Sequence, residues 1–223
     1  MAKLIFRYID GKLRPLFVKE EYTEKSTNET MNEKIRGNQK EEFTDSKGNK
    51  HTFKKVNGKE FKKALDKAKS QIELEKAWRV DNTSHTEDEY NNMQCYTTEN
   101  GSTIAITEDG DIISVASTKR GEGRSLIEFA VNHGGVKLDS YDGNYGYYTH
   151  MGFEPISWTK FNEAYAPSDW NKNRDDKEPI IFFKYTGKEV TTDKKDFYKS
   201  TKDFKEYDDA MNERDKHIKR GDI

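Results

Sequence analysis

Two apolar clusters open the chain, Leu4-Ile5-Phe6 with Tyr8 and then Leu13 to Val18, separated by Asp10-Gly11. Asp-Gly between apolar runs predicts a β-hairpin, because the tight type I′ turn needs positive φ at both central residues. Pro15 assigns the second strand to an edge, where its missing N–H costs no ladder bond. Residues 19–40 are almost wholly polar. They bury too little to offset their ordering entropy, and they read as a linker or loosely held arm. Residues 41–57 predict a second small hairpin turning at Ser46-Lys47-Gly48-Asn49.

From Gly58 onward the apolar positions become denser and more regular. Phe61, Ala64, Leu65, Ala68 and Ile72 fall at helical spacing. Thr86, followed by Glu87, Asp88 and Glu89, predicts the start of a short second helix, since acids suit a helix N-terminus. Strands follow at Ser102–Thr107 and Asp111–Ser117, joined by Glu108-Asp109-Gly110. A basic loop containing glycines then leads into a helix over Arg124–Asn132, closed by His133-Gly134-Gly135. A third strand covers Val136–Tyr141, and a short helix over 144–151 stops at Gly152. Strands from Phe153 and over Pro179–Tyr185 complete the pattern. A hairpin beside a strand–helix–strand crossover makes this an α/β fold with a mixed sheet.

Beyond about Glu189 the chain is again mostly charged, yet Phe197, Phe204, Met211 and Ile218 recur every seventh residue, with Tyr207 beside them. This predicts a C-terminal helix with one narrow apolar stripe, packed on its own domain or, as the alternative, docked on a protein partner. Three regions result: N-terminal hairpins and linker over 1–57, a core domain over 58–187 and a charged tail over 188–223. Only 32% of the chain is hydrophobic and 36% is charged, which supports one compact core with much solvated length. The formal net charge of −2 excludes a broad basic field for nucleic acid or anionic lipid but leaves room for a local basic patch. No apolar run approaches the ~20 residues of a membrane span, and the apolar stretch near Met1 is too short for a signal peptide. Cys95 is the single cysteine, so neither an internal disulfide nor a cysteine-built zinc site is available. His85 and Glu89 have ligand-like spacing with no further ligands, and no metal is expected. The expectation is a cytoplasmic protein.

The chemistry concentrates in Thr118-Lys119-Arg120-Gly121-Glu122-Gly123-Arg124, between a strand and a helix. A helix start leaves backbone N–H groups unpaired and carries positive partial charge. Glycines let the backbone approach a ligand closely, and Lys119, Arg120 and Arg124 add full charges, a combination that suits a pyrophosphate. The segment is not a Walker A loop, having no Gly-Lys-Ser/Thr, and it lacks the third glycine of a dinucleotide fingerprint.

This segment resembles the acyl-coenzyme A loop of the GNAT superfamily of N-acetyltransferases, Gln/Arg-x-x-Gly-x-Gly/Ala before a helix. Gly121 and Gly123 match, and Thr118 stands where Gln or Arg is usual. Tyr148-Thr149-His150-Met151-Gly152-Phe153 is similar to the family's Tyr-x-x-x-Gly-Phe. The run from Gly134–Asp139 through Phe161–Pro167 is similar to GNAT-like domains carried on phages and mobile elements. The resemblance covers roughly 58–187 and implies a mostly antiparallel sheet with a V-shaped splay between its central strands, at 111–117 and 136–141.

It also implies acetyl-CoA or another acyl-CoA as the cofactor, lying in that splay. Backbone groups near Val115 and Ser117 would pair with its pantetheine amide, and residues 118–124, Glu122 included, would meet its pyrophosphate. By family position Tyr148 is the general acid that protonates the leaving thiolate, although Tyr145 and Tyr147 lie close enough for the role to shift by a residue or so. Asp139, Ser114 or a held water would serve as base, and His133 and His150 read as surface residues. The implied activity is N-acyl transfer to a protein or small-molecule amine, with Glu87–Glu89 and Asp175-Asp176 as acidic stretches that attract a cationic acceptor. The alternative is a GNAT-like phage protein that has lost catalysis and binds a host protein or the virion.

Overall fold

The structure, a computed structural model, describes residues 2–9, 12–19 and 39–218. The chain divides into two units, Met1–Arg36 and Gly37–Ile223. In the first, β1 (Ala2–Ile9) and β2 (Lys12–Lys19) pair antiparallel, from Ala2 opposite Lys19 to Ile9 opposite Lys12. The strands thus close on either side of the expected turn. Asp10-Gly11 itself, and the polar segment between Lys19 and Gln39, lie outside the described residues.

The second unit is mixed α/β, mostly antiparallel, with seven α-helices among the described residues. A five-stranded sheet runs in the order β3-β4-β5-β6-β7, from β3 (Lys40–Thr44) and β4 (Lys50–Lys55) through β5 (Gln94–Thr98) and β6 (Thr103–Ile106) to β7 (Ile112–Ala116). Helices α1 (Gly58–Ser70), α2 (Leu74–Ala77) and α3 (Glu87–Asn91) lie between β4 and β5. Asn57 Oδ1 caps α1 by accepting from Glu60 N at 2.9 Å, and Thr86, expected to open a helix, closes a reciprocal capping box with Glu89. Period-two alternation divides β6 between two faces. Ile104 and Ile106 join Leu126 and Phe129 in one core cluster, while Ala105 joins Phe61, Leu65 and Tyr90 in the other.

After β7 the chain enters α4 (Glu122–Asn132), which ends where expected: Gly134 has φ 91°, and Gly135 N donates to Ala130 O at 2.8 Å. Then come β8 (Lys137–Tyr141), α5 (Tyr145–His150), β9 (Phe153–Thr159) and β10 (Ile180–Tyr185). These strands form a second sheet in the order β11-β9-β10-β8. β7 and β8 belong to different sheets and meet in one parallel bridge, Asp111 to Lys137.

Two boundaries differ from expectation. The second hairpin is not an appendage, since β4 pairs with β5 and Phe53 is fully buried, stacked on Phe129 at 3.7 Å between ring centroids. One inward residue per strand carries this attachment, so the hairpin's mostly polar sequence hides it. The tail is not one striped helix either. Asp193 caps α6 (Lys194–Ser200), extended Thr201 ends it, β11 (Asp203–Phe204) pairs parallel with β9, and α7 (Tyr207–Lys216) follows. Phe197, Ala210 and Arg214 are buried, so the tail completes this unit. No helix among the described residues is long and apolar enough to cross a membrane.

Candidate functional site

The register along β7 slips by one residue. Thr103 faces Ala116 and Ala105 faces Ile113, so β7 takes three steps where β6 takes two. Ser114 absorbs the extra residue at φ 53°, a conformation that costs a non-glycine residue about 1–2 kcal/mol. Tyr90 and Ser114 hydroxyls meet at 2.8 Å, and Thr103 Oγ1 donates to Ser114 O at 3.1 Å, which holds the bulge. Val115 and Ser117 lie in or just beyond a strand whose far edge, among the described residues, is bridged only at Asp111.

The loop beyond β7 is anchored from beneath. Thr118 N donates to Ser102 Oγ at 3.0 Å, and Thr118 Oγ1 donates to Asn100 O at 2.8 Å. Glu122, 4% exposed, accepts from Asn100 Nδ2 at 3.0 Å and from the Ser102 hydroxyl. The side chains of Thr118 and Glu122, both expected at the cofactor, thus tie the loop to the β5–β6 turn. This anchoring leaves Lys119, Arg120 and Gly121 exposed. Gly121 caps α4 at φ 89°, in the left-handed region that favours glycine.

The loop floors a groove of about 490 Å³. Ser117, Thr118, Lys119, Arg120, Gly121, Gly123 and Arg124 line it, joined by Tyr147 of α5 and by Lys47 of the β3–β4 turn. Gly123 and Arg124 open α4, where first-turn N–H groups have no intrahelical acceptor. Arg124 pairs with Glu128 at 3.3 Å, whereas Lys47, Lys119 and Arg120 have no ion-pair partner among the described residues. Burial pushes the Tyr147 phenol up to about 12, against the pull of the Arg124 guanidinium.

Tyr148 packs instead against Phe153 and Phe183, with centroids 5.9 and 5.6 Å away. Burial raises its pKa well above the ordinary phenol value, partly offset by Ser140 of β8, which faces its hydroxyl. Asp139 precedes Ser140, so its side chain leaves the opposite face of β8. There it lies near Tyr207 of α7, Asp111 and Arg214, and burial, with Asp111 adding repulsion, pushes its carboxyl up to about 6. Arg214, fully buried, reaches Asp111 at 3.0 Å and Asp215 at 2.8 Å. The two residues expected to carry catalysis therefore lie on opposite faces of one strand. Of the residues expected to hold the cofactor, all but Val115 and Glu122 line the groove. His133 Nδ1 donates to Phe129 O at 2.8 Å, and exposed His150 pairs with Glu189 at 2.8 Å.

Sequence reasoning missed Lys47, whose turn reads as a surface hairpin, and the Ser114 bulge, which leaves no local signature. No protein-family model matches the chain, and comparison with curated proteins and with solved structures returns no match.

Proposed function

We propose that this chain is an acyl-CoA-dependent N-acyltransferase with a GNAT-like sheet, its V-shaped splay lying between β7 and β8. One observation carries the reading: a cationic groove at the start of α4, beside the open edge of a bulged strand. The donor set fits a pyrophosphate. Lys119 and Arg120 supply charge without competing carboxylates, and the Gly123 and Arg124 N–H groups supply directed donors. Bound acyl-CoA would supply an activated thioester. Val115 and Ser117 would offer backbone groups to its amide along the open edge of β7. Tyr148, protonated at neutral pH as any phenol of pKa about 10 or above is, would hold at Oη the proton that the leaving thiolate needs. A protein or small-molecule amine would be the acceptor. Asp139, its carboxyl raised to about 6, and Ser114 are the base candidates.

A second reading keeps the groove and drops the chemistry: a GNAT-like phage-type module that binds a host or virion protein. The placement of Tyr148 and Asp139 on opposite faces of β8 favours it. Calorimetric titration with acetyl-CoA, paired with a free-thiol assay over a panel of amines and Lys peptides, tests both. Binding with turnover supports the enzyme, and binding without turnover supports the module. Absence of binding refutes the cofactor assignment.

A further inference from the structure

Lys47 enters the groove from an element far from the α4 loop in sequence, and its position is built rather than incidental. The β3–β4 turn that carries it is organised by Asp45, whose side chain is nearly inaccessible. Asp45 Oδ1 accepts from Lys47 N at 2.9 Å and from Asn49 N at 2.8 Å, and Oδ2 lies 3.1 Å from His51 Nε2. The next staple reaches α4: Ser46 N donates to Glu128 Oε2 at 2.7 Å and Ser46 Oγ to Glu128 Oε1 at 2.5 Å. Arg124 Nη1 shares Oε1 at 3.3 Å. Both oxygens of Glu128 are thereby occupied, and the carboxylate is not what holds Lys47. Its ammonium is left exposed, without an ion-pair partner among the described residues, on a turn fixed to the groove wall.

Charge accounting then points to a ligand with more than one phosphate centre. The first turn of α4 with Lys119 and Arg120 suffices for a pyrophosphate. Lys47 adds a cation on the Arg124–Glu128 side of the same groove. At about 490 Å³ the groove falls within the ~300–1,000 Å³ of small-molecule sites and exceeds what one phosphate fills. We infer that Lys47 recognises a second phosphate group of the groove's ligand, separate from the pyrophosphate at the α4 start. Given the acyl-CoA reading, on which this rests, that group is the ribose 3′-phosphate, and Lys47 sets selectivity for coenzyme A over its 3′-dephospho form.

The test is calorimetric titration of the full chain, wild type and Lys47→Ala, with coenzyme A and with 3′-dephospho-coenzyme A. A charge-assisted contact to phosphate predicts that wild type prefers coenzyme A by about 10- to 100-fold. Lys47→Ala should shrink that preference below about threefold. Its melting temperature should hold, because the exposed ammonium supports nothing in the turn. Ser46→Ala, which loosens the staple to Glu128, should reduce the preference partway. An equal preference in wild type and Lys47→Ala overturns the assignment of Lys47 while leaving the acyl-CoA reading intact. Failure of both ligands to bind wild type overturns the acyl-CoA reading and this inference with it.

Discussion

Gly123→Val separates ligand binding from folding. Gly123 is the second residue of α4, and its φ is not in the left-handed region. A Cβ there would meet Tyr147 Oη at 3.2 Å and nothing else nearer than Tyr147 Cζ at 4.0 Å. The obstacle is the far end of one side chain, which can shift by tenths of an ångström. Replacing Gly by Val also recovers a few tenths of a kcal/mol of helix propensity. The net change in stability should stay within about 1 kcal/mol, or a melting shift of roughly 2–4 °C for a domain of this size. Binding should respond differently, because the added branch stands over the first-turn N–H groups offered to phosphate. Losing one charge-assisted bond of about 1.5–3 kcal/mol weakens binding roughly 10- to 100-fold. Calorimetry with coenzyme A, beside a thermal melt, reads both quantities. Gly121→Ala is the contrast: nothing lies within 4 Å of its Cβ, yet φ +89° makes any side chain costly, so its melting temperature should fall. A Gly123→Val protein that stays folded and binds coenzyme A within twofold of wild type would refute the phosphate-loop reasoning.

On the proposed acyl-transfer function with Tyr148 as general acid, Tyr148→Phe should lower kcat by about 10²–10⁴-fold with little change in KM for the acyl donor, since such a group acts in the transition state. Ser140 Oγ keeps its bond from Asn144 Nδ2 at 3.0 Å, so the fold should lose only about 1 kcal/mol, and equally mild kinetic effects from Tyr148→Phe and Tyr147→Phe would make both tyrosines structural. Arg214→Met leaves Asp111 and Asp139 without their buried cation and should cost about 3–5 kcal/mol in chemical denaturation; a loss under about 1 kcal/mol would contradict the burial argument. Asp139 supplies a pH signature: its carboxyl, raised from 3.8 to about 6, contributes stability below its ordinary pKa that is lost as pH rises through about 6. Asp139→Asn lacks that loss, so its melting temperature relative to wild type should climb between pH 4 and pH 7, and a flat difference would refute the assignment.

Local chemistry was legible in the sequence. The β6–β7 turn, the glycine loop, α4 with its Gly134-Gly135 cap and the Thr86 capping box all follow from backbone preferences acting within a few residues. Most of the groove-lining set was legible for the same reason, because a strand–glycine loop–helix start is itself local. Pairing across distance was not. β5 went unread because Gln94–Thr98 carries few apolar residues, and it becomes a central strand only when β4 and β6 flank it. The hairpin at 40–55 and the tail at 194–216 joined the domain through strand pairing and a few buried residues, Phe53 in the first and Phe197, Ala210 and Arg214 in the second, whose burial depends on partners far along the chain. Which face of β8 carries Ser140 with Tyr148, and which carries Asp139 with Arg214, was likewise decided by packing. Alternation predicts that neighbours oppose, and only the helices packed on each face determine what each meets. Lys47 reached the groove by the same route, through a Ser46–Glu128 staple between segments that share no local signal.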